Sequence, residues 1–268
     1  MCGQALLLGC SAKEPASEAV VFAGQGAVIK ELPLPVAVTA RPVDAKPSGP
    51  CAVVVPNDTV LIDDFEDGDL RAFKGFQRHG FWYAASDHSE GSTLFPEGQF
   101  APALLPRAEG SQANAYAAHF VAKGQQEWGA LFGTTLYWDN AGVHCPLNLS
   151  LFQGLRFRAK GPGTVQVRVP MPETVPPEFG GICSKGCYDP PGTRLTLSDH
   201  WADFVVTWDR LQQAGWGTEV RFDPARVLGI DFFVDVHALP ADLWVDDVAL
   251  IPKAAPAAQA LASEAHSQ

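Results

Sequence analysis

The run from residue 242 to residue 251, Asp-Leu-Trp-Val-Asp-Asp-Val-Ala-Leu-Ile, constrains the fold more than any other stretch of the chain. It is apolar on both of its alternating faces, which predicts a β-strand that is covered on both sides. Two adjacent carboxylates, Asp246 and Asp247, stand in its middle. A carboxylate that faces a core is costly unless it is hydrogen-bonded, paired or bound to a metal ion. Strict alternation puts Asp246 with Trp244, Val248 and Leu250, and Asp247 with Leu243, Val245, Ala249 and Ile251.

A second acidic run, Leu-Ile-Asp-Asp-Phe-Glu-Asp-Gly at residues 61–68, is also strand-like. The two acidic runs stand at opposite ends of the segment in which strand patterns occur. We expect them to lie side by side, because pairing of a first with a last strand closes an antiparallel fold.

Short strand patterns fill the sequence between these two runs, separated by Gly, Pro, Asn and Asp. No long helical periodicity interrupts them, which favours an all-β jelly-roll β-sandwich over residues 58–252. We expect Trp201, Trp208 and Trp244 to lie in its core. Residues 253–268 are predicted to be a short disordered tail. The predicted strands are 60–65, 81–84, 115–120, 130–138, 154–159, 164–169, 194–197, 203–208, 227–236 and 243–251.

Composition and charge narrow the class of protein. Hydrophobic residues make up 47% of the 268 residues and charged residues 18%, as in a globular protein with a sizeable core. The formal net charge of -11 argues against nucleic acid and anionic membranes as partners, since both attract basic surfaces.

The N-terminal residues resemble a bacterial lipoprotein signal. Leu7-Leu8-Gly9-Cys10 matches a cleavage box in which Cys10 becomes the lipidated N-terminus. This interpretation makes residues 1–10 a signal segment and residues 11–57, rich in Pro and Ala, a disordered tether. The domain would then sit at the bacterial cell envelope, bound to the membrane only through the lipid, or be secreted. The alternative is an ordinary apolar N-terminus.

Four cysteines remain if Cys10 carries lipid and Cys2 is cleaved away: Cys51, Cys145, Cys183 and Cys187. An even number in an exported chain suggests two disulfides. Cys183 and Cys187 invite a local bridge, because Gly186 lets the loop turn back tightly. A zinc site is the alternative, but it needs further ligands, and His200 is the nearest candidate.

An ordered series of segments then suggests a family: Asp63-Asp-Phe-Glu66, residues 111–120, Leu155-Arg-Phe-Arg-Ala-Lys160, residues 201–208, Gly229-Ile-Asp-Phe-Phe233 and Trp244-Val-Asp-Asp-Val248. The series resembles the galactose-binding-like jelly rolls, especially family 11 carbohydrate-binding modules and the related complex I intermediate-associated domains. This resemblance implies a structural Ca²⁺ where the first and last strands meet, with Asp64, Glu66 and Asp246 at the matching positions. Ca²⁺ takes several oxygen ligands. The alternative is that these carboxylates accept backbone N–H groups.

The resemblance also implies sugar binding by aromatic and polar side chains on a sheet face or its rim loops. No motif maps these side chains, so candidates are chosen by chemistry. The alternative for each aromatic is packing in the core or a loop. The predicted ligand-binding residues are Trp82, Tyr83, Tyr188, Asp189, Gln213 and Trp216.

No nucleophile elbow, paired-histidine zinc motif or phosphate-binding loop occurs, so we expect a protein that is not an enzyme. Two functional hypotheses remain. The first is a non-catalytic carbohydrate-binding domain of an exported, lipid-anchored protein whose partner is a poly- or oligosaccharide. The second is a structural or assembly lipoprotein whose jelly roll binds an envelope protein. An aromatic-lined groove favours the first, and a flat apolar patch favours the second.

Overall fold

The structure is a computed structural model that describes residues 53–56, 58–72, 79–96, 100–106, 109–138 and 142–254. The predicted signal segment with Cys10, most of the tether and nearly all of the tail lie outside these residues. In the described part of the chain, no helix is long and apolar enough to cross a membrane.

Within the described residues the chain forms strands joined by turns and short 3-10 segments, without an α-helix. The 3-10 segments are Pro172–Thr174, Pro177–Phe179, Trp208–Arg210, Pro224–Arg226 and Val236–Ala238. The strands are β1 (Val53–Val54), β2 (Leu61–Asp63), β3 (Arg71–Ala72), β4 (Gly80–Ser86), β5 (Thr93–Phe95), β6 (Ala103–Leu104), β7 (Tyr116–Lys123), β8 (Gly129–Thr135), β9 (Leu147–Asn148), β10 (Phe152–Lys160), β11 (Thr164–Arg168), β12 (Gly192–Thr196), β13 (Ala202–Thr207), β14 (Gly229–Asp235) and β15 (Ala241–Pro252).

The strands build two antiparallel sheets. A seven-stranded sheet has the order β13-β10-β15-β7-β5, with β2 beside β15 and β6 beside β7. A six-stranded sheet has the order β12-β11-β14-β8-β4-β3. A parallel pair, β1 and β9, stands apart from both sheets. The all-β jelly-roll sandwich predicted from the sequence is confirmed.

The core lies between the two sheets and is rich in aromatic rings. Phe132 on β8 stacks against Trp82 with ring centroids 4.7 Å apart, and Phe232 lies 5.9 Å away. On β10 the buried Leu155, Phe157 and Ala159 alternate with more exposed basic residues, as the sequence predicts. Truncating one of the large buried rings to Ala is expected to cost about 3–5 kcal/mol.

The two acidic strands meet as predicted. β2 pairs antiparallel with β15, with Asp63 opposite Val248. The strict alternation along β15 is wrong, however, because a β-bulge interrupts it. Between the pairs Arg156–Ala249 and Arg158–Asp246, β15 carries one more residue than β10, and Asp247 has a φ of 51°.

The bulge changes which residues of β15 reach the core. Leu243 and Val245 before it, and Val248 and Leu250 after it, are all buried in the main core. Trp244 therefore points away from the core and stacks on His119, with ring centroids 3.9 Å apart. Of the three tryptophans predicted to be internal, Trp208 is buried, whereas Trp201 and Trp244 are only partly buried.

Candidate functional site

The outer face of the six-stranded sheet, turned away from the core, carries a row of chemically diverse positions. On neighbouring strands β4, β8, β14, β11 and β12, the residues that stand opposite one another are Tyr83, Gly133, Asp231, Arg168 and Gly192. Their sequence neighbours, among them Trp82, Phe132, Val167 and Phe232, belong to the core. Since successive side chains of a strand point to opposite faces, this row faces outward. We call it the first row.

A second row runs beside the first, two residues along each strand. It consists of Ala85, Leu131, Phe233, Gln166 and Arg194, again opposite one another in register. The apolar members of this row form a small cluster separate from the main core, against which Tyr83 and Trp128 pack. The outer face therefore has an apolar floor.

Gly133 allows two distant residues of the first row to meet. The Tyr83 hydroxyl donates to Asp231 Oδ1 at 3.0 Å, across the strand that carries Gly133. A Cβ at residue 133 would overlap Asp231 Oδ1 and press against the Tyr83 ring. The missing side chain leaves room for this hydrogen bond.

Burial perturbs the ionisable groups of the first row. It raises the pKa of Asp231 to about 6, although the hydrogen bond from Tyr83 and the charge of Arg168 favour the carboxylate. Burial, together with the neighbouring Asp231, raises the pKa of Tyr83 well above its ordinary value. Burial also lowers the pKa of Arg168 to about 10, while Asp231, Asp189 and Asp235 oppose that shift. Perturbed groups that meet on a sheet face mark a candidate functional site.

Arg168 and Phe233 join the two rows. The guanidinium lies over the Phe233 ring, 3.3 Å from its centroid, and its Nε donates to Gln166 Oε1 at 3.1 Å. Beside them is a shallow pocket of about 180 Å³, below the 300–1,000 Å³ of typical small-molecule cavities, so it holds part of a ligand rather than enclosing one. The pocket is lined by Thr164, Gln166, Arg194, Phe233, Asp235, His237 and Ala238.

The loop residues predicted to bind ligand lie together. Asp189 is buried, and its carboxylate accepts the backbone N–H groups of four consecutive residues, 214–217, at 2.9–3.1 Å. The Gln213 amide donates to the carbonyls of Asp189 and Thr218 at 2.7 and 2.9 Å. Both side chains hold the loop in shape. Tyr188 adopts a positive φ of 71° and packs edge-on to Phe179, with ring centroids 6.5 Å apart.

The predicted aromatic residues have different surroundings. Tyr83 belongs to the first row, and Trp216 is 44% exposed on the loop held by Asp189. Trp82 instead lies in the core, 2% exposed, and its Nε1 donates to Asp63 Oδ2 at 2.7 Å. It offers no surface to a ligand, so we do not retain it as a site residue.

Sequence reasoning missed Gln166, Arg168, Asp231 and Phe233. A usable signal was present, since polar residues alternate with buried valines at 164–169 and Asp231 interrupts an apolar run. The sequence alone does not show which strands pair. Tyr83 and Asp231 are 148 residues apart, and only the sheet order places them together.

The predicted Cys183–Cys187 disulfide is confirmed, with the two Cα atoms 5.7 Å apart. Cys145 is also disulfide-bonded. Thr218 donates through its Oγ1 to the Lys185 carbonyl at 2.7 Å and through its N–H to the Gly186 carbonyl at 3.0 Å. The small disulfide loop is thereby tied to the loop that carries Trp216.

The three predicted calcium ligands lie at the junction of β2, β7 and β15. Glu66 accepts the N–H groups of Ala115 and Tyr116 at 2.9–3.0 Å, and Asp64 accepts that of Glu66 at 3.3 Å. Across the described residues no three acidic, histidine or cysteine side chains gather in a way that could hold a metal ion. Ca²⁺ at this junction would have to replace hydrogen bonds to the backbone.

Asp246 is the unusual member of this group. It is 1% exposed, and its carboxylate accepts from the Asn114 amide at 3.3 Å and from the Asp247 N–H at 2.8 Å, both neutral donors. Burial, followed by the charge of Asp247, raises its pKa to about 7. The two hydrogen bonds and the charge of Arg158 favour the carboxylate but do not offset this rise.

Comparison with known proteins gives one curated relative and several solved structures. No family model matches the chain. Over 180 residues, 64% of the chain, the sequence is 26% identical to Endoglucanase 3 of Fibrobacter succinogenes, and the chain spans about a quarter (24%) of that relative's length.

The solved structures include the family 11 carbohydrate-binding module of a cellulosomal cellulase from Clostridium thermocellum, 13% identical, with a TM-score of 0.45 over 74% of this chain and 96% of that one. The same module in complex with a β-1,3-1,4-mixed-linked tetrasaccharide gives 13% identity and a TM-score of 0.42 over 72% of this chain and 95% of that one. These modules belong to the family that the sequence resemblance names.

Proposed function

We propose that this chain contains a non-catalytic carbohydrate-binding domain whose ligand, a poly- or oligosaccharide, lies on the outer face of the six-stranded sheet. One observation carries the proposal: Asp231, Arg168, Gln166 and Phe233 form a single polar and aromatic cluster on two neighbouring strands, β11 and β14. Carboxylate, guanidinium and amide groups bond sugar hydroxyls, while aromatic rings pack against sugar C–H faces. The relative named an endoglucanase makes glucans the first ligands to test.

The test is titration calorimetry of the full chain with mixed-linkage β-glucan, cello-oligosaccharides and an unrelated polysaccharide as a specificity control. Asp231→Asn and Gln166→Ala are expected to weaken binding at least tenfold, about 1.4 kcal/mol each, because the first replaces a charged acceptor by a neutral amide and the second removes an amide at the centre of the face. Arg156→Ala, an exposed change on the opposite sheet, is the matched control. Absence of binding to every glycan would refute the proposal and favour the assembly-protein alternative.

We also propose that the protein is exported and anchored through Cys10. The Cys183–Cys187 disulfide supports export, because structural disulfides persist in oxidising compartments. Labelling with a clickable fatty acid is expected to mark the wild type and not Cys10→Ala. Equal labelling of both, or of neither, would remove the lipid anchor from this proposal.

Calcium at the junction of the first and last strands remains a proposal that rests on the sequence resemblance. Its support in the structure is Asp246, a buried carboxylate with neutral donors, because a cation beside it would favour its ionised form. Elemental analysis of the purified chain, together with melting in the presence and absence of a chelator, tests it.

A further inference from the structure

The first row of the outer face continues beyond the sheet into a loop. Gly192, the last residue of that row, exchanges both backbone hydrogen bonds with Gln212 at 2.9 Å. Gln212 begins the segment 212–218, which carries Trp216. The loop is thus one strand position further along the same line as Tyr83, Asp231 and Arg168.

A buried carboxylate holds the loop through hydrogen bonds to its backbone. The Asp189 carboxylate binds four consecutive N–H groups of the loop, including that of Trp216 at 3.1 Å. Thr218 fastens the far end of the loop to the disulfide-closed turn at 183–187. A loop that is already ordered loses little conformational entropy when it binds a ligand.

On this ordered loop the Trp216 ring remains 44% exposed. A large aromatic ring on a rigid surface segment is typical of ligand contacts, because it offers contact area at a low entropic cost. Asp189 also interacts electrostatically with Arg168, which couples the base of the loop to the sheet face.

We propose, on the basis of the proposed function, that Trp216 is the outermost sugar contact of the outer face and that Asp189 is its positioning residue. The line from Tyr83 to Gln212 crosses five strand-to-strand steps, about 24 Å at an inter-strand spacing of about 4.8 Å. A single sugar ring does not reach from one end to the other. A ligand that contacts both ends is therefore an oligosaccharide that runs across the strands.

The experiment measures affinity against ligand length in the full chain, with cello-oligosaccharides or mixed-linkage glucan fragments of two to six units. Trp216→Ala is expected to lower the affinity for the hexasaccharide roughly tenfold and to leave that for the shortest ligand that binds nearly unchanged. The Trp216 N–H that Asp189 accepts survives this change, so the loop is retained. Phe95→Ala, which removes a 51% exposed ring from the opposite sheet, is the control.

Asp189→Asn tests the positioning role. It is expected to reproduce the length-dependent loss of Trp216→Ala, with little additional effect when the two changes are combined, because both act through the same ring. Trp216→Ala alone keeps the test valid if Asp189→Asn fails to fold.

The two proposals fail differently. If the wild type binds no glycan, the proposed function is wrong. If the wild type binds and Asp231→Asn weakens ligands of every length, while Trp216→Ala matches Phe95→Ala at every length, only the loop proposal is overturned.

Discussion

Asp246→Asn tests the energetics at the junction of the first and last strands. The pKa of Asp246 rises from 3.8 to about 7 in the folded protein, because the carboxyl is buried and lies beside Asp247. A raised carboxyl pKa means that the folded state binds the proton more tightly than the unfolded state does. Stability from this group is therefore complete below pH 4 and is lost as the pH rises through 7.

The magnitude follows from the shift. Each pKa unit corresponds to about 1.4 kcal/mol, so ionised Asp246 lowers the free energy of unfolding by about 2–4 kcal/mol at pH 8, where the upper value is the full shift and the lower value allows for screening by solvent. Asn keeps the shape and removes the charge, and the Asn114 amide can rotate to accept from it. We expect Asp246→Asn to raise the melting temperature by roughly 5–10 °C at pH 8 and to change it little at pH 4.

The assay is thermal unfolding followed by circular dichroism between pH 4 and pH 8, in chelator and again in calcium. Asp203→Asn, a 90% exposed carboxylate on β13, is the matched control and is expected to be neutral. Calcium that binds at this junction would instead stabilise the wild type, by about 2.7 kcal/mol at a hundred times its dissociation constant, and not the variant. In chelator, a variant no more stable than the wild type at pH 8 would refute the argument from burial.

Three further predictions concern other parts of the molecule. Gly133→Ala is expected to cost about 1–3 kcal/mol and to reduce glycan affinity, because the new Cβ overlaps Asp231 and the Tyr83 ring; denaturant melts and calorimetry measure the two effects. Glycan affinity is expected to fall between pH 7 and pH 5 as Asp231, whose pKa is about 6, takes up a proton, and Asp231→Asn should bind weakly with no such pH dependence. Non-reducing peptide mapping is expected to join Cys145 to Cys51, because both precede by two positions the residues that face each other in the parallel pair β1 and β9.

The sequence predicts the architecture well because the period of two along a strand is a local signal. The buried and exposed alternation of β10 and β11 follows from it, whereas the pairing of the two acidic strands follows from their positions at opposite ends of the strand-rich segment. A bulge leaves no such signal. The extra residue at Asp246–Asp247 reverses the faces of β15 and moves Trp244 to the outside, and only the register with β10 reveals it.

Some residues of the candidate site can be chosen from local sequence, whereas others depend on strand order. Tyr83 and Trp216 are recognisable from their chemistry alone, since each is an aromatic near turn residues. Asp189 also looks like a ligand-binding residue in the sequence. In the structure its buried carboxylate accepts hydrogen bonds from the loop backbone. Which polar side chains become neighbours on the outer face depends on strand order, a non-local property.

Chemical-shift mapping by NMR, with a glucan oligosaccharide titrated into the isotope-labelled full chain, tests the central claim most directly. Shifts are expected on the outer face of the six-stranded sheet, at the backbone amides of Gln166, Arg168, Asp231 and Phe233. The exposed amides around Arg156 and Val205 on the seven-stranded sheet should stay unchanged. Saturable shifts confined to the seven-stranded sheet would contradict the account, and so would none at all with any glucan.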